Sequence, residues 1–246
     1  MRVIDLNCDM GEGMDTDAAI MPFLSSANIA CGFHAGDANT MLETLSLAKQ
    51  FGVVVGAHVS FRDRENFGRS EMNLFSHEVY QLVQEQLTIL DNIAGGIGIR
   101  LHHVKPHGAL YNMSARDPLL ATIIAGAIRD YDPNLVLYGL SGSCSITEAK
   151  RLGIRTANEV FADRTYRDDG SLTPRSQAHA LIDDEKQVVS QVFQMIREGR
   201  VTTTSGKSIP IVADTICLHG DGLHAVSFAK HIHESLKENR IGIQAI

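Results

Sequence analysis

The chain has 246 residues, 44% of them hydrophobic, and a formal net charge of −7. That supports a sizeable core, and the lack of any Lys/Arg-rich tract excludes nucleic acid as a main partner, because phosphate binding needs clustered cations. No apolar run approaches the roughly 18 residues of a membrane span, the N-terminus has no signal-peptide core, and Cys8, Cys31, Cys144 and Cys217 form no CxxC. A cytoplasmic protein with reduced thiols and no membrane partner is expected.

Val3–Cys8 reads as a buried first strand, ended by Gly11-Glu12-Gly13. Asp5, Asn7 and Asp9 are two apart, so an extended chain points all three to one face, where they can line a site. Ala27–Cys31 is a second strand, leading into Gly32-Phe33-His34-Ala35-Gly36-Asp37. Asp37 or Asn39 then caps a helix from about Ala38 to Phe51, with Gly52 closing it. Val53–Ala57 is β-branched and continuous, like a parallel strand buried on both faces, and His58 stands at its end. The charged loop 61–70 contains Arg69. Its composition favours a solvated surface loop slightly over a lid or anion clamp.

Ser76 opens a long helix to about Ala94, with Val79, Leu82, Val83, Gln86, Leu90 and Ile93 as its buried stripe. The fourth strand, Arg100–Val104, runs into Lys105-Pro106-His107-Gly108, with Tyr111 and Asn112 just beyond. A Lys and a His at a strand exit lose hydration without an assured partner, which marks this stretch as a site candidate. A helix follows over 118–131, with Leu119, Ile123, Ala127 and Ile128 as its apolar members. Leu135–Leu140 and Ile154–Val160 are the fifth and sixth strands, the latter carrying Glu159. Asp163-Arg164 follow the sixth strand, and Arg167 and Arg175 lie in or beside the next loop.

Asp184–Glu198 reads as another amphipathic helix, and 201–210 as a small hairpin or ordered loop. Ser205-Gly206-Lys207-Ser208 mimics the end of a P-loop, but Val201 stands where the first Gly is required, so a turn is the better reading. Thr215–Leu218 is the seventh strand, ending in His219-Gly220-Asp221. The final helix carries His224, His231 and His233, spaced as surface residues rather than metal ligands.

Strands and helices alternate along the whole chain with no linker, so one parallel α/β domain over 1–246 is expected. Polar chemistry recurs at nearly every strand C-terminus: Asp9, His34, His58, Lys105, His107, Asp163, Arg164, His219 and Asp221. In a closed β/α barrel all these ends meet at one mouth, whereas an open sheet gathers only those near its switch point. A seven-stranded barrel is therefore the expected fold.

The segments Asp5–Gly13, Asn28–Asp37, Val104–Asn112, Val160–Arg164 and His219-Gly220-Asp221 together resemble the LamB/YcsF family. They span nearly the full chain. Departures from the family pattern are Val59 before Ser60 where Pro-Ser is usual, Ala38 for Pro, His179 for Gly, and Ser70 for a second Arg. None removes a charged candidate.

The resemblance implies a seven-stranded TIM-like barrel related to polysaccharide deacetylases. It also implies a role as one component of an ATP-dependent 5-oxoprolinase, which opens the 5-oxoproline lactam to L-glutamate with partner subunits B and C. ATP, with Mg2+, would be handled on those partners, since this chain has no ATP motif of its own.

On that reading Lys105 and Arg164 would meet phosphate and carboxylate, with Arg69 a further cation. Asp9 or His107 would be the general base. Asn7, His34, His58, Asn112 and His219 would contact substrate, and Asp163 would hold Arg164 or move a proton. If a divalent metal is present, Asp9, His34 and His58 would hold it, a donor set suited to zinc or manganese. A metal-free polar cluster is the favoured expectation. A stand-alone metal-dependent deacetylase, and a non-catalytic carbohydrate- or lactam-binding scaffold, are the competing readings.

Overall fold

The structure is a computed structural model and describes residues 2–220 and 224–246. Asp221, expected at the mouth, lies outside the described residues.

Among the described residues, seven parallel strands close a barrel: β1 (Val3–Met10), β2 (Ser26–Ala30), β3 (Val54–Val59), β4 (Leu101–Pro106), β5 (Val136–Leu140), β6 (Arg155–Phe161) and β9 (Thr215–His219). Pairing of β1 with β9 (Asn7 opposite Cys217, Asp9 opposite His219) shuts the ring. The hairpin of β7 (Arg200–Thr202) and β8 (Ser208–Pro210) stands apart, and β10 (Gly242–Ile243) extends the start of β1.

β1 shows why the barrel closes. Its alternate residues Ile4, Leu6, Cys8 and Met10 belong to the hydrophobic layer under the helices, while Asp5, Asn7 and Asp9 take the opposite face, toward the barrel axis. Each fully buried Leu or Ile of that layer stabilises by about 1.5–3 kcal/mol.

Helices cover the outside: α1 (Asp17–Ile20), α2 (Ala38–Phe51), α3 (Ser76–Gly96), α4 (Gly108–Arg116), α5 (Pro118–Tyr131), α6 (Cys144–Arg151), α7 (Glu185–Glu198) and α8 (Ala225–Glu238). Their ends follow the local chemistry. The Asp37 carboxylate accepts from Thr40 N at 2.9 Å, Gly52 closes α2 at φ 68°, and Asp117 accepts from Leu119 N ahead of Pro118. A cap of this kind contributes about 1 kcal/mol.

The α3 stripe lies as its periodicity predicts, except that Ile93 is only half-buried. In α5, Ala127 and Ile128 are buried as expected, but Leu119 is exposed and Ile123 half-buried, while Leu120, Ala121 and Ile124 face inward. Of the α8 histidines, His231 is exposed, but His233 is half-buried and its Nδ1 lies 2.9 Å from the Phe23 carbonyl.

Helix α4 has no counterpart in the sequence reading. Pro106 and Gly108 look like breakers, yet the helix starts at Gly108, whose φ of 54° turns the chain into it. A side chain there would collide with Gly68 O, so the 61–70 loop and the start of α4 touch backbone to backbone, with Ala109 N donating to Gly68 O.

Candidate active site

The barrel interior is largely polar, apart from a small apolar cluster of Val136, Tyr138 and Ala157. At the bottom Asp5 accepts from the hydroxyls of Ser25, Ser26 and Thr215 at 2.6–2.7 Å. One layer up, Asn7 donates to Thr215 Oγ1 and Glu159 Oε1 and accepts from Asn28 Nδ2. Asn28 Oδ1 accepts from His103 Nε2 at 2.8 Å, and the His103 ring stacks on Tyr138. Asn7 is thus wholly buried in this network, below the cavity rather than in contact with it.

Above this lies Lys105, 2% exposed. Its ammonium pairs with Asp9 Oδ1 at 2.7 Å and Glu159 Oε1 at 2.9 Å, and lies 3.1 Å from Cys217 Sγ. Burial alone would lower the Lys105 pKa, but its acidic neighbours, Asp9 first, hold it well above the usual value. Burial likewise favours the neutral Asp9 carboxyl, yet His58 and Lys105 together keep it well below the ordinary carboxylate range. Asp9 and Lys105 therefore stay charged at neutral pH.

The mouth is built from strand ends and two loops. His34 follows β2, His58 ends in β3, His107 follows β4, and Glu12 enters from the turn after β1. Glu12 Oε1 lies 3.0 Å from His34 Nε2, 3.4 Å from His107 Nδ1 and 3.8 Å from His58 Nε2. His58 Nε2 is also 2.8 Å from His107 Nδ1 and 3.3 Å from Asp9 Oδ2. Burial pushes the pKa of His34 down and that of His107 well down, so both rings favour the neutral form.

In the 61–70 loop Arg62, Arg64, Glu65 and Arg69 are exposed, as a solvated loop would have them, but the loop is also anchored to the mouth. Asp63 is buried and accepts from Asn66 Nδ2 and Ser70 N, and the Phe67 carbonyl accepts from His107 Nε2 at 2.9 Å. Phe67 holds a left-handed backbone, φ 56°, which for a bulky side chain costs on the order of 1 kcal/mol. Arg69 lies over the Phe67 ring.

At the end of β9, beside Asp9, His219 meets Asp163: its Nδ1 lies 2.9 and 3.0 Å from the two carboxylate oxygens. Against the expectation that Asp163 holds Arg164, its carboxylate is turned to His219. Arg164 is buried, with Nη2 donating to Thr173 O at 2.6 Å and Nε to Ala180 O. Asn112, exposed on α4, is one of the residues lining the cavity and donates to Gly108 O in its own helix.

A cavity of about 640 Å³ opens at this mouth. Asp9, Glu12, His58, Lys105, His107 and His219 line it, together with Arg164, Arg167 and Arg175. Tyr111 also lines it; its hydroxyl lies near Glu159, and neither it nor Glu159 Oε2 has a partner within hydrogen-bond distance. Burial, with Glu159 next, raises the Tyr111 pKa well above its usual value, so the group is a donor.

The sequence profile of the LamB/YcsF family matches residues 4–246. The chain belongs to the LamB/YcsF family. Proteins named as the A subunit of 5-oxoprolinase, from Tolumonas auensis and Bordetella parapertussis, are each 51% identical to it, the first over 100% of both chains and the second over 98% of both. The crystal structure of a lactam utilization protein from Thermus thermophilus superposes with a TM-score of 0.93 at 40% identity, covering all of both chains. A family 4 carbohydrate esterase from Streptomyces lividans, 12% identical and covering 100% of this chain and 93% of its own, shares the fold with a TM-score of 0.52.

Within this LamB/YcsF chain, the fold brings together the expected Asp9, His34, His58, Lys105 and His107. It sets His219 beside Asp9 with Asp163 bonded to it, places Arg164 in the cavity lining, and leaves Asn7 beneath the cavity. Glu12, Glu159, Cys217 and Tyr111 join the site without having been named as site residues. For Glu12 the available signal was a carboxylate between two glycines directly after a strand.

Proposed function

We propose that this chain is the A component of an ATP-dependent 5-oxoprolinase, acting with partner subunits B and C to open 5-oxoproline to L-glutamate. What carries the reading is full-length 51% identity to a protein named as the A component of 5-oxoprolinase, joined to a cavity roomy enough for a lactam and lined by acids and cations. In this reading the whole chain, 1–246, works as one barrel domain in the cytoplasm, where ATP is at hand.

The chemistry fits an enclosed polar mouth. A five-membered lactam is a stable amide with a poor leaving group. Its carbonyl oxygen attacks the γ-phosphorus of ATP, handled with Mg2+ on the partners, and ADP departs. Water adds to the activated ring carbon, the C–N bond breaks with a proton passing to nitrogen, and an acyl phosphate remains. A second water releases phosphate and leaves glutamate.

Arg164, Arg167 and Arg175 sit where phosphoryl and carboxylate charge would collect, with Arg69 on the loop side. Tyr111 is a donor for substrate oxygen. Asp9 is a weak base because its low pKa keeps it paired to Lys105. The Asp163–His219 pair is the better proton acceptor: the carboxylate holds Nδ1–H and leaves Nε2 bare at the cavity.

The test is conversion of 5-oxoproline to glutamate by the chain assembled with its B and C partners. Turnover is expected only with ATP and all partners. An assembled complex that consumes no 5-oxoproline with ATP overturns the reading. A stand-alone metal-dependent deacetylase is the second reading, favoured by the histidines at the mouth; ATP-independent hydrolysis of an N-acetyl sugar by the chain alone would establish it.

A further inference from the structure

Three imidazoles at the mouth are each held in one tautomer by a group that can only accept. The His58 Nδ1 faces the Lys105 carbonyl at 3.0 Å, and the His107 Nε2 faces the Phe67 carbonyl at 2.9 Å, so each of those nitrogens carries the proton. The His34 Nδ1 faces Ser60 Oγ at 2.9 Å, and the Ser60 hydroxyl gives its own proton to the Phe61 carbonyl, so His34 Nδ1 donates as well. His34 Nε2, His58 Nε2 and His107 Nδ1 are then left as bare lone pairs. They converge on Glu12 Oε1, itself an acceptor, and two of them stand 2.8 Å apart. Lone pairs this close repel unless a cation, either a proton shared between two rings or a metal ion, sits among them.

The arrangement is also held rigidly from outside. Gln86 of α3, fully buried, accepts from Ser60 N and donates to Ser60 O. Phe67 keeps its left-handed backbone to aim its carbonyl, and a side chain on Gly68 would strike the His107 ring at 2.8 Å. Such outer partners, fixing tautomer and ring direction, accompany metal-ligating histidines.

We propose that Glu12, His34, His58 and His107 bind one divalent first-row transition-metal ion of the zinc class. The four ligand atoms lie within 4.8 Å of one another, within reach of one ion at the usual zinc–nitrogen distance of about 2.1 Å. Three imidazoles and one carboxylate favour zinc over magnesium or calcium. The neighbouring group of Asp9, Cys217 and His219 is not the site, because the Lys105 ammonium already supplies its cation. Relative to the sequence-based set, Glu12 and His107 enter and Asp9 is displaced to the Lys105 pair.

The full-length chain, stripped with chelator, is titrated with Co2+, then read by elemental stoichiometry and by the ligand-field absorption of the bound ion. One Co2+ per chain with nitrogen-ligand bands, displaced by Zn2+, is expected. Glu12→Gln and His107→Gln should each weaken binding by about tenfold or more, and Ser60→Ala, which touches no ligand atom of the ion, by about 10–100-fold. His219→Gln should bind as the parent does. Circular dichroism checks that each variant is folded, and Ser60→Ala decides if a ligand variant is not. Failure of the folded parent to take up stoichiometric Co2+, or undiminished binding in Glu12→Gln and His107→Gln, overturns the proposal. The readout is metal rather than turnover, so its failure leaves the oxoprolinase reading standing.

Discussion

The lower interior of the barrel and its mouth are both polar and both buried, yet they differ in donor–acceptor balance. Below, around Asp5, Asn7, Asn28 and His103, each carboxylate or amide oxygen meets a hydroxyl, amide or ring N–H donor at 2.6–2.8 Å. At the mouth, bare imidazole nitrogens meet a carboxylate. Closed networks rigidify a core, and open ones are completed by something that arrives. Buried polarity alone therefore does not mark a site; imbalance does.

Lys105 stands at the border between the two regions, and its loss should have the largest effect. Lys105→Met leaves the Asp9 and Glu159 carboxylates close together without their shared cation. Removing one partner of a buried pair costs about 3–5 kcal/mol. Urea unfolding should show a loss of that size, and turnover of the assembled complex should vanish. A variant within about 1 kcal/mol of wild type, on the order of a surface change, would mean the lower network neutralises the acids without Lys105.

The second largest effect should come from His219→Gln and Asp163→Asn, which lie on the mouth side. Each should cut turnover about 10²–10⁴-fold, the usual worth of general acid–base catalysis. For stability, burial raises the Asp163 carboxyl pKa, but His219 outweighs this and holds it below the ordinary value. A group lowered on folding contributes above its unfolded pKa of about 3.9 and loses that contribution as pH falls through the folded value. The stability gap between wild type and Asp163→Asn should be full at neutral pH and shrink below about pH 4. A gap that widened in acid would contradict the pairing with His219.

A probe of the closed region should be smaller. Gly56→Ala in β3 drives a methyl into the His103 ring, which is pinned between Asn28 and Tyr138. Overpacking of this kind costs about 1–3 kcal/mol. Calorimetry should show a lowered Tm while the metal-binding mouth keeps its affinity for Co2+. Lost Co2+ binding in a folded Gly56→Ala chain would show that the two regions are mechanically one.

The contrast also explains how much could be read in advance. The seven strands and the barrel were legible, because polar residues ended nearly every apolar run. So were Asp9, His34, His58, Lys105 and His107, each at such an end. Period-two alternation put Asn7 on the same face as Asp9 but said nothing of depth along the barrel axis, so Asn7 was assigned to substrate when it lies beneath the cavity. Helix α4 was missed because Gly108 reads as a breaker unless the touching Gly68 backbone is known. The 61–70 loop read as solvated, and Arg62, Arg64, Glu65 and Arg69 are exposed; what a count of charges does not show is that Asp63 bonds Asn66 and Ser70 and that Phe67 orients His107. Glu12 is called into the site by three histidines from three other strands, and that convergence exists only in the fold.

Asn112 should show the smallest effect, and it tests the same distinction from the other direction. The family pattern implies a substrate contact for it, yet its amide donates to Gly108 O in the exposed face of α4 and completes neither network. Asn112→Ala should change stability by no more than about 0.5 kcal/mol. Since the side chain is already satisfied within its own helix, kcat/KM of the assembled complex should stay within about twofold, well under about 1.4 kcal/mol of transition-state binding. A loss of about tenfold or more would mean the amide leaves Gly108 when substrate arrives. In that case a side chain balanced in the free protein would belong to the site, and donor–acceptor imbalance would be a sufficient mark of function here but not a necessary one.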